Sequence, residues 1–188
     1  LLIIVLSVFP VFTYAAYLAS DQLGQLDEND QPIYTKNGAN NGPSNRGFSQ
    51  PLGIAIDTVN HRLFVAENAN RRVLVFNLDN SNNLIDHLPD NVIGQSTFFT
   101  NTSAVTQSGI ASAQGLAYDS INNRLYVTDA TNHRILVFDV STITDGMDAS
   151  YVLGQADFTS NASATTQGGL SGASGVTYDA VDVRLFVS

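Results

Sequence analysis

Three histidines and two recurring sets of acidic residues are the side chains of this chain with chemistry beyond packing. Three imidazoles converging on one point with an open fourth position can hold a catalytic zinc, and a ring of carboxylates can hold calcium. The imidazoles are His61, His87 and His133. The carboxylates recur in two patterns. Asp57, Asp119 and Asp179 each close a short apolar run, whereas Glu67 and Asp129 are each followed three residues on by Asn70 or Asn132 and five residues on by Arg72 or Arg134. The chain has no cysteine, so neither a thiolate metal site nor a disulfide framework is open to it. A Gly-rich phosphate loop and a Ser nucleophile elbow are also absent from the sequence.

All of these residues except His87 sit in a segment that occurs three times. Residues 53–76 read GIAIDTVNHRLFVAENANRRVLVF, residues 115–138 read GLAYDSINNRLYVTDATNHRILVF, and residues 175–188 read GVTYDAVDVRLFVS. Apolar runs of about five residues, separated by polar turns of four or five, predict consecutive antiparallel strands joined by hairpins. A fourth strand is expected around residues 91–95 (NVIGQ) and 151–155 (YVLGQ), with a fainter match at residues 22–25 (QLGQ). Four antiparallel strands per repeat make one blade of a β-propeller. The expected fold class is therefore all-β, with four-stranded blades in an incomplete ring.

That arrangement constrains the chemistry. First strands are innermost, so Asp57, Asp119 and Asp179 could ring one mouth of a central channel. The more economical expectation is that each accepts backbone N–H bonds in the turn that follows it. Glu67 with Arg72, and Asp129 with Arg134, are expected to pair across the second hairpin as surface ion pairs worth about 0–1 kcal/mol, with Asn bonding the turn backbone. His61 falls in a first turn, His133 in a second turn and His87 in a third connection. First and second turns lie at opposite ends of the strands, so no three-histidine metal site is expected.

The connections between copies repeat as faithfully as the strands. Residues 96–114 align without a gap on residues 156–174, matching Phe98 with Phe158, Asn101 with Asn161 and Gln107 with Gln167. A connection of this length is long for a compact domain, and its fixed positions predict an ordered segment that packs its Phe between blades. The second turns, around Asn70 and Asn132, are expected to open on the same end as these linkers. Asn70, Asn132, Asn101, Gln107, Asn161 and Gln167 are thus the candidate ligand-binding residues, all uncharged hydrogen-bonding types.

The runs GIAID, RLFVAE and NANRRVLVF, with the second copy's TDATNHRILVF, resemble the NHL repeat. The resemblance spans about residues 48–188 and implies a β-propeller, most often of six blades. It also implies two functional classes: binding or scaffold modules, and metal-dependent six-bladed enzymes such as calcium-dependent lactonases and a zinc-dependent amidating lyase. Two matched blades supply no catalytic residue for the second class, so its active site and its calcium or zinc would lie on blades outside these residues. The third copy departs at its first turn, with Asp182-Val183 where the others have Asn60-His61 and Asn122-Asn123.

Composition narrows the partners. The formal net charge of −9 over 188 residues argues against nucleic acid, including the RNA bound by some intracellular NHL proteins, because such partners need a basic footprint. Residues 1–19 carry no charge and have the length of a secretory apolar core, with cleavage expected after Ala15. An N-terminal membrane anchor is the alternative, and the only membrane contact expected. The organisation expected is an export lead or anchor at 1–19, an irregular connecting segment at 20–47 and NHL-type blades at 48–188. Lack of an initiator Met, and a third copy cut off in mid-strand, predict a longer protein with about three to four further blades. The expected function is an extracytoplasmic binding or scaffold module for a protein or glycan, needing no cofactor in these blades.

Overall fold

The computed structural model describes residues 3–5, 21–35 and 42–188. Twelve strands are formed: β1 (Ile3–Val5), β2 (Asp21–Leu23), β3 (Pro51–Asp57), β4 (Arg62–Glu67), β5 (Arg72–Asn77), β6 (Asn91–Ile93), β7 (Ala113–Asp119), β8 (Arg124–Asp129), β9 (Arg134–Asp139), β10 (Tyr151–Leu153), β11 (Val176–Asp179) and β12 (Arg184–Val187). β3-β4-β5-β6 and β7-β8-β9-β10 are four-stranded antiparallel sheets in chain order, while β1-β2 and β11-β12 are two-stranded. We call the two complete sheets blade 1 and blade 2. The expected cleavage point after Ala15 lies outside the described residues. Ile3–Val5, placed in the export lead by the sequence, are paired with β2 here.

β3 and β7 begin earlier than the apolar run suggests, because a register shift separates Pro51 from Ile54 and Ala113 from Leu116. The repeated glycine sits inside that shift. A Cβ on Gly53 would stand 2.2 Å from the Gln114 carbonyl oxygen, and one on Gly115 would stand 2.5 Å from that of Ser174. First strands of neighbouring blades thus approach backbone to backbone, which only a residue without a Cβ permits.

The core lies between blades rather than within one. Phe64, Val73, Val75 and Ile93 of blade 1 pack against Leu116, Leu125, Leu136 and Phe138 of blade 2. A second cluster joins Leu23 of β2 and Phe48 to Val65, Leu74, Phe76 and Val92 of blade 1. A third joins Tyr126, Ile135 and Val137 of blade 2 to Leu170, Tyr178 and Leu185. Strand β4 is consequently buried on both faces at Phe64 and Val65, as a blade with neighbours on both sides requires. Among the described residues the blades stand side by side without closing a ring, and no helix is long and apolar enough to cross a membrane.

Candidate functional site

The first hairpin turns use their acid as a local anchor. Asp57 Oδ1 accepts the backbone N–H of Val59 and Asn60 at 3.1 and 2.9 Å, and Asp119 Oδ1 accepts those of Ile121 and Asn122 at 2.9 and 3.2 Å. Asp179 repeats the pattern with Val181 and Asp182. Asp57 also pairs with Arg62, Nη2 to Oδ2 at 2.5 Å. Burial works to raise its carboxyl, but the Asn60 backbone, the Arg62 guanidinium and the Asn60 and Tyr118 side chains together outweigh it and hold the group at about 2. The turn closes on a left-handed residue, His61 in blade 1 and Asn123 in blade 2, whose carbonyl accepts the N–H of Leu78 or Val140. In the third copy that place is taken by Val183, at φ 54°, where a β-branched side chain is strained.

The second turns correct the sequence expectation. Glu67–Arg72 and Asp129–Arg134 are not surface pairs, since all four side chains are fully buried, with Nε–O distances of 2.5 and 3.0 Å. Each acid is the centre of a knot. Glu67 accepts from Asn70 Nδ2 at 2.7 Å and from the Ser49 N–H at 2.6 Å. Asp129 accepts from Asn132 Nδ2 at 2.8 Å and from the N–H groups of Ala111 and Ser112 at 3.0 and 2.9 Å. Each guanidinium then reaches the linkers before and after its blade: Arg72 donates to the carbonyls of Ser44 and Phe98, and Arg134 to those of Gly109 and Phe158. Burial pushes the Glu67 carboxyl up, against the pull of Arg72. These residues hold linkers to blades.

Asn70 and Asn132 were expected on a contact surface; they are 3% and 2% exposed, with their amides committed to the carboxylates. The other four candidates differ. Asn101, Gln107, Asn161 and Gln167 are exposed on the two linkers. The linkers and second turns do meet at one end: Arg71 donates to the Asn101 carbonyl at 2.8 Å, and Asn132 to that of Ala104 at 3.0 Å. Gln107 holds the third loop of blade 2 through the Ala149 carbonyl at 2.8 Å.

Two residues that organise this end were not singled out from the sequence. Gln95 Nε2 donates to the carbonyls of Arg71 and Thr102, at 3.0 and 2.9 Å, and Gln155 makes the same two bonds to His133 and Ala162. The signal was present in the repeated Gly-Gln pair of NVIGQ and YVLGQ. Beside Gln95 the linker folds around a cleft of about 200 Å³ lined by Gly94, Ser96, Thr100, Thr102, Thr106 and Ser108. No ionisable side chain lines it. Phe99, next to this lining, is 67% exposed.

The histidines stay apart in role. His61 Nδ1 meets Asn82 Oδ1 at 2.8 Å, His87 Nε2 meets Asp21 Oδ1 at 2.7 Å, and His133 Nδ1 accepts the Gly172 N–H at 2.9 Å. Among the described residues no three His, Asp or Glu side chains are grouped as a metal-ligand set.

Residues 111–138 match the family model of the NHL repeat. No curated protein sequence matches the chain. Among solved structures, a chain in the crystal structure of a nidogen/laminin complex is similar, with a TM-score of 0.44 and 19% identity over 76% of this chain. The present chain spans 40% of that chain's length. The matched segment contains strands β7, β8 and most of β9 with Asp129, Asn132 and Arg134, so residues 111–138 carry an NHL repeat, within a nearly all-β fold of four-stranded antiparallel sheets consistent with a partial β-propeller.

Proposed function

We propose that this chain is a binding or scaffold module that recognises a protein or glycan through the end where linkers and second turns meet. The observation that carries it is the cleft between Gly94 and Ser108. Its lining combines the hydroxyl groups of Ser96, Thr100, Thr102, Thr106 and Ser108 with glycines, Gln95 and Ala104, and Asn101 and Gln107 lie exposed on the same linker. Such a lining suits a neutral ligand rich in hydroxyls or amides. Glu67, Arg72, Asp129 and Arg134 contribute nothing there, because the knots bury them. Export by residues 1–19, with cleavage after Ala15, is part of the same proposal and places this end outside the cytoplasm.

The test is a parallel screen of the chain on glycan and protein arrays, followed by two sets of variants. Asn101→Ala, Thr106→Val and Ser108→Ala change the linker end, while Thr58→Ala and Ser120→Ala change the first-turn end. Binding should fall at least about tenfold with the first set, the worth of one lost hydrogen bond to a ligand, and hold with the second. Equal loss in both sets, or loss in the second alone, sinks the proposal. N-terminal sequencing of the secreted chain checks the export lead, which must end at Ala15.

A further inference from the structure

β2 was expected to lie in an irregular connecting segment. Its surroundings are those of the fourth strand of a blade, matched position by position. In β6 and β10 the strand is followed by a glycine with positive φ, Gly94 at 90° and Gly154 at 87°, and Gly24 after β2 has 77°. In each case the missing Cβ leaves room for the apolar residue that ends the following linker. A Cβ on Gly94 would stand 2.6 Å from Ile110, on Gly154 2.6 Å from Leu170, and on Gly24 2.4 Å from Phe48. The residue before the glycine is Leu23 in β2, which packs on blade 1 with Phe48, as Ile93 packs on blade 2 with Ile110. The Gln after the glycine is buried at Gln25 as it is at Gln95.

The grip from the following blade is also repeated. The loop between β9 and β10 reaches back to the start of β6, where Asp145 Oδ1 accepts from the Val92 N–H at 3.0 Å and from Asn91 Nδ2 at 3.2 Å. The loop between β5 and β6 reaches back to the start of β2 in the same way, through His87 and Asp21. Pairing register agrees as well. Ile93, Val92 and Asn91 of β6 face Val73, Leu74 and Val75 of the third strand β5, and Leu23, Gln22 and Asp21 of β2 face Ile3, Ile4 and Val5.

We infer that residues 21–25 are the fourth strand of a propeller blade standing before blade 1, and that the outer face of blade 1 is a surface built for that strand. The edge of β2 takes a third strand, and β1 fills that register. The propeller blades therefore reach back at least to Asp21, not only to residue 48. An export lead removed after Ala15 leaves this strand intact, so the inference stands independently of the cleavage.

The absence of cysteine makes a thiol test direct. Single variants Leu23→Cys, Ile93→Cys and Asn80→Cys are labelled with a maleimide, in the 188-residue chain and in a chain beginning at Ala16. Asn80 is exposed in a loop and sets the fast rate; Ile93 is buried in a known fourth strand and sets the slow one. Leu23→Cys should label on the order of 100-fold or more slower than Asn80→Cys in both chains, as an opening-limited thiol does. Labelling as fast as Asn80→Cys in either chain overturns the inference. Amide exchange of the unsubstituted chain guards against damage by the substitution. Protection at residues 23–25 comparable with residues 93–95 supports the assignment, and free exchange at 23–25 overturns it.

Discussion

Blade 1 and blade 2 carry nearly the same residues at the same places, yet their trailing faces differ. The trailing face of blade 1 meets a complete sheet, and Ile93 there is 0% exposed. The trailing face of blade 2 meets only β11 and β12, and the matching Leu153 is 40% exposed. Arg62 of blade 1 reaches across to the Val140 carbonyl at the end of the neighbouring third strand while holding Asp57. Arg124 of blade 2 has no third strand opposite it among the described residues and lies over the Tyr151 ring, 5.2 Å from its centroid. The difference is a groove of about 420 Å³ beside blade 2, lined by Tyr126, Tyr151, Leu153, Tyr178 and Leu185. A repeat sequence thus fixes which side chains are available, and the neighbouring blade fixes what each of them does.

The buried knots are where this contrast should fail, because they lie away from the open face. Arg72→Ala and Arg134→Ala should each cost about 3–5 kcal/mol, since either leaves a buried carboxylate without its cation. Denaturant melts of the two variants check this, and a markedly cheaper Arg134→Ala would extend the contrast into the knots. At the faces themselves the blades should diverge. Ile93→Ala should cost about 2–4 kcal/mol as a fully buried truncation, and Leu153→Ala under about 1 kcal/mol; equal costs would break the comparison.

The two arginines that open the second strands, Arg62 and Arg124, sharpen it further. Arg62→Ala should cost about 2 kcal/mol, because Asp57 stays buried after its charge-assisted bonds are removed. Arg124→Ala should cost about 0.5–1 kcal/mol, the worth of an exposed cation–π contact. The Asp57 carboxyl also gives a pH signature. Its folded value of about 2 lies below the ordinary 3.8, so its stabilisation is complete above 3.8 and is lost as the pH falls through about 2. Melts of wild type and Asp57→Asn between pH 5 and pH 2 should therefore converge at the acid end, and a constant gap would remove Asp57 from the account. One effect expected is a gain: Val183→Asn should add about 1 kcal/mol by relieving a left-handed β-branched residue, read as a raised melting temperature.

Much of the architecture was legible because short apolar runs separated by short polar turns announce themselves locally. The three Asp turns were also legible, since the N–H groups that donate to each carboxylate lie two and three residues away. The second-turn knot was legible as a pattern and wrong as an environment. Acid, Asn and Arg at fixed spacing predict who bonds whom, but not that linker backbone from residues 44–49 and 98 would close over Glu67 and Arg72. That burial moved Asn70 and Asn132 out of the candidate surface and left the linker residues in it. β2 was legible only as the faint match at residues 22–25, because a three-residue strand carries little pattern, and its packing on blade 1 is what marks its rank.

The sequence by itself determined the repeat, the strand order within a blade, the hairpin turns and the types of side chain presented by the linkers. Each of these depends on residues close together in the chain, where spacing is geometry. Tertiary structure alone decided which of the repeated ion pairs are buried, which face of which blade is covered, where the hydroxyl-lined cleft opens and which blade β2 belongs to. Those properties depend on what stands across an interface between blades, and burial is a property of the neighbour as much as of the residue.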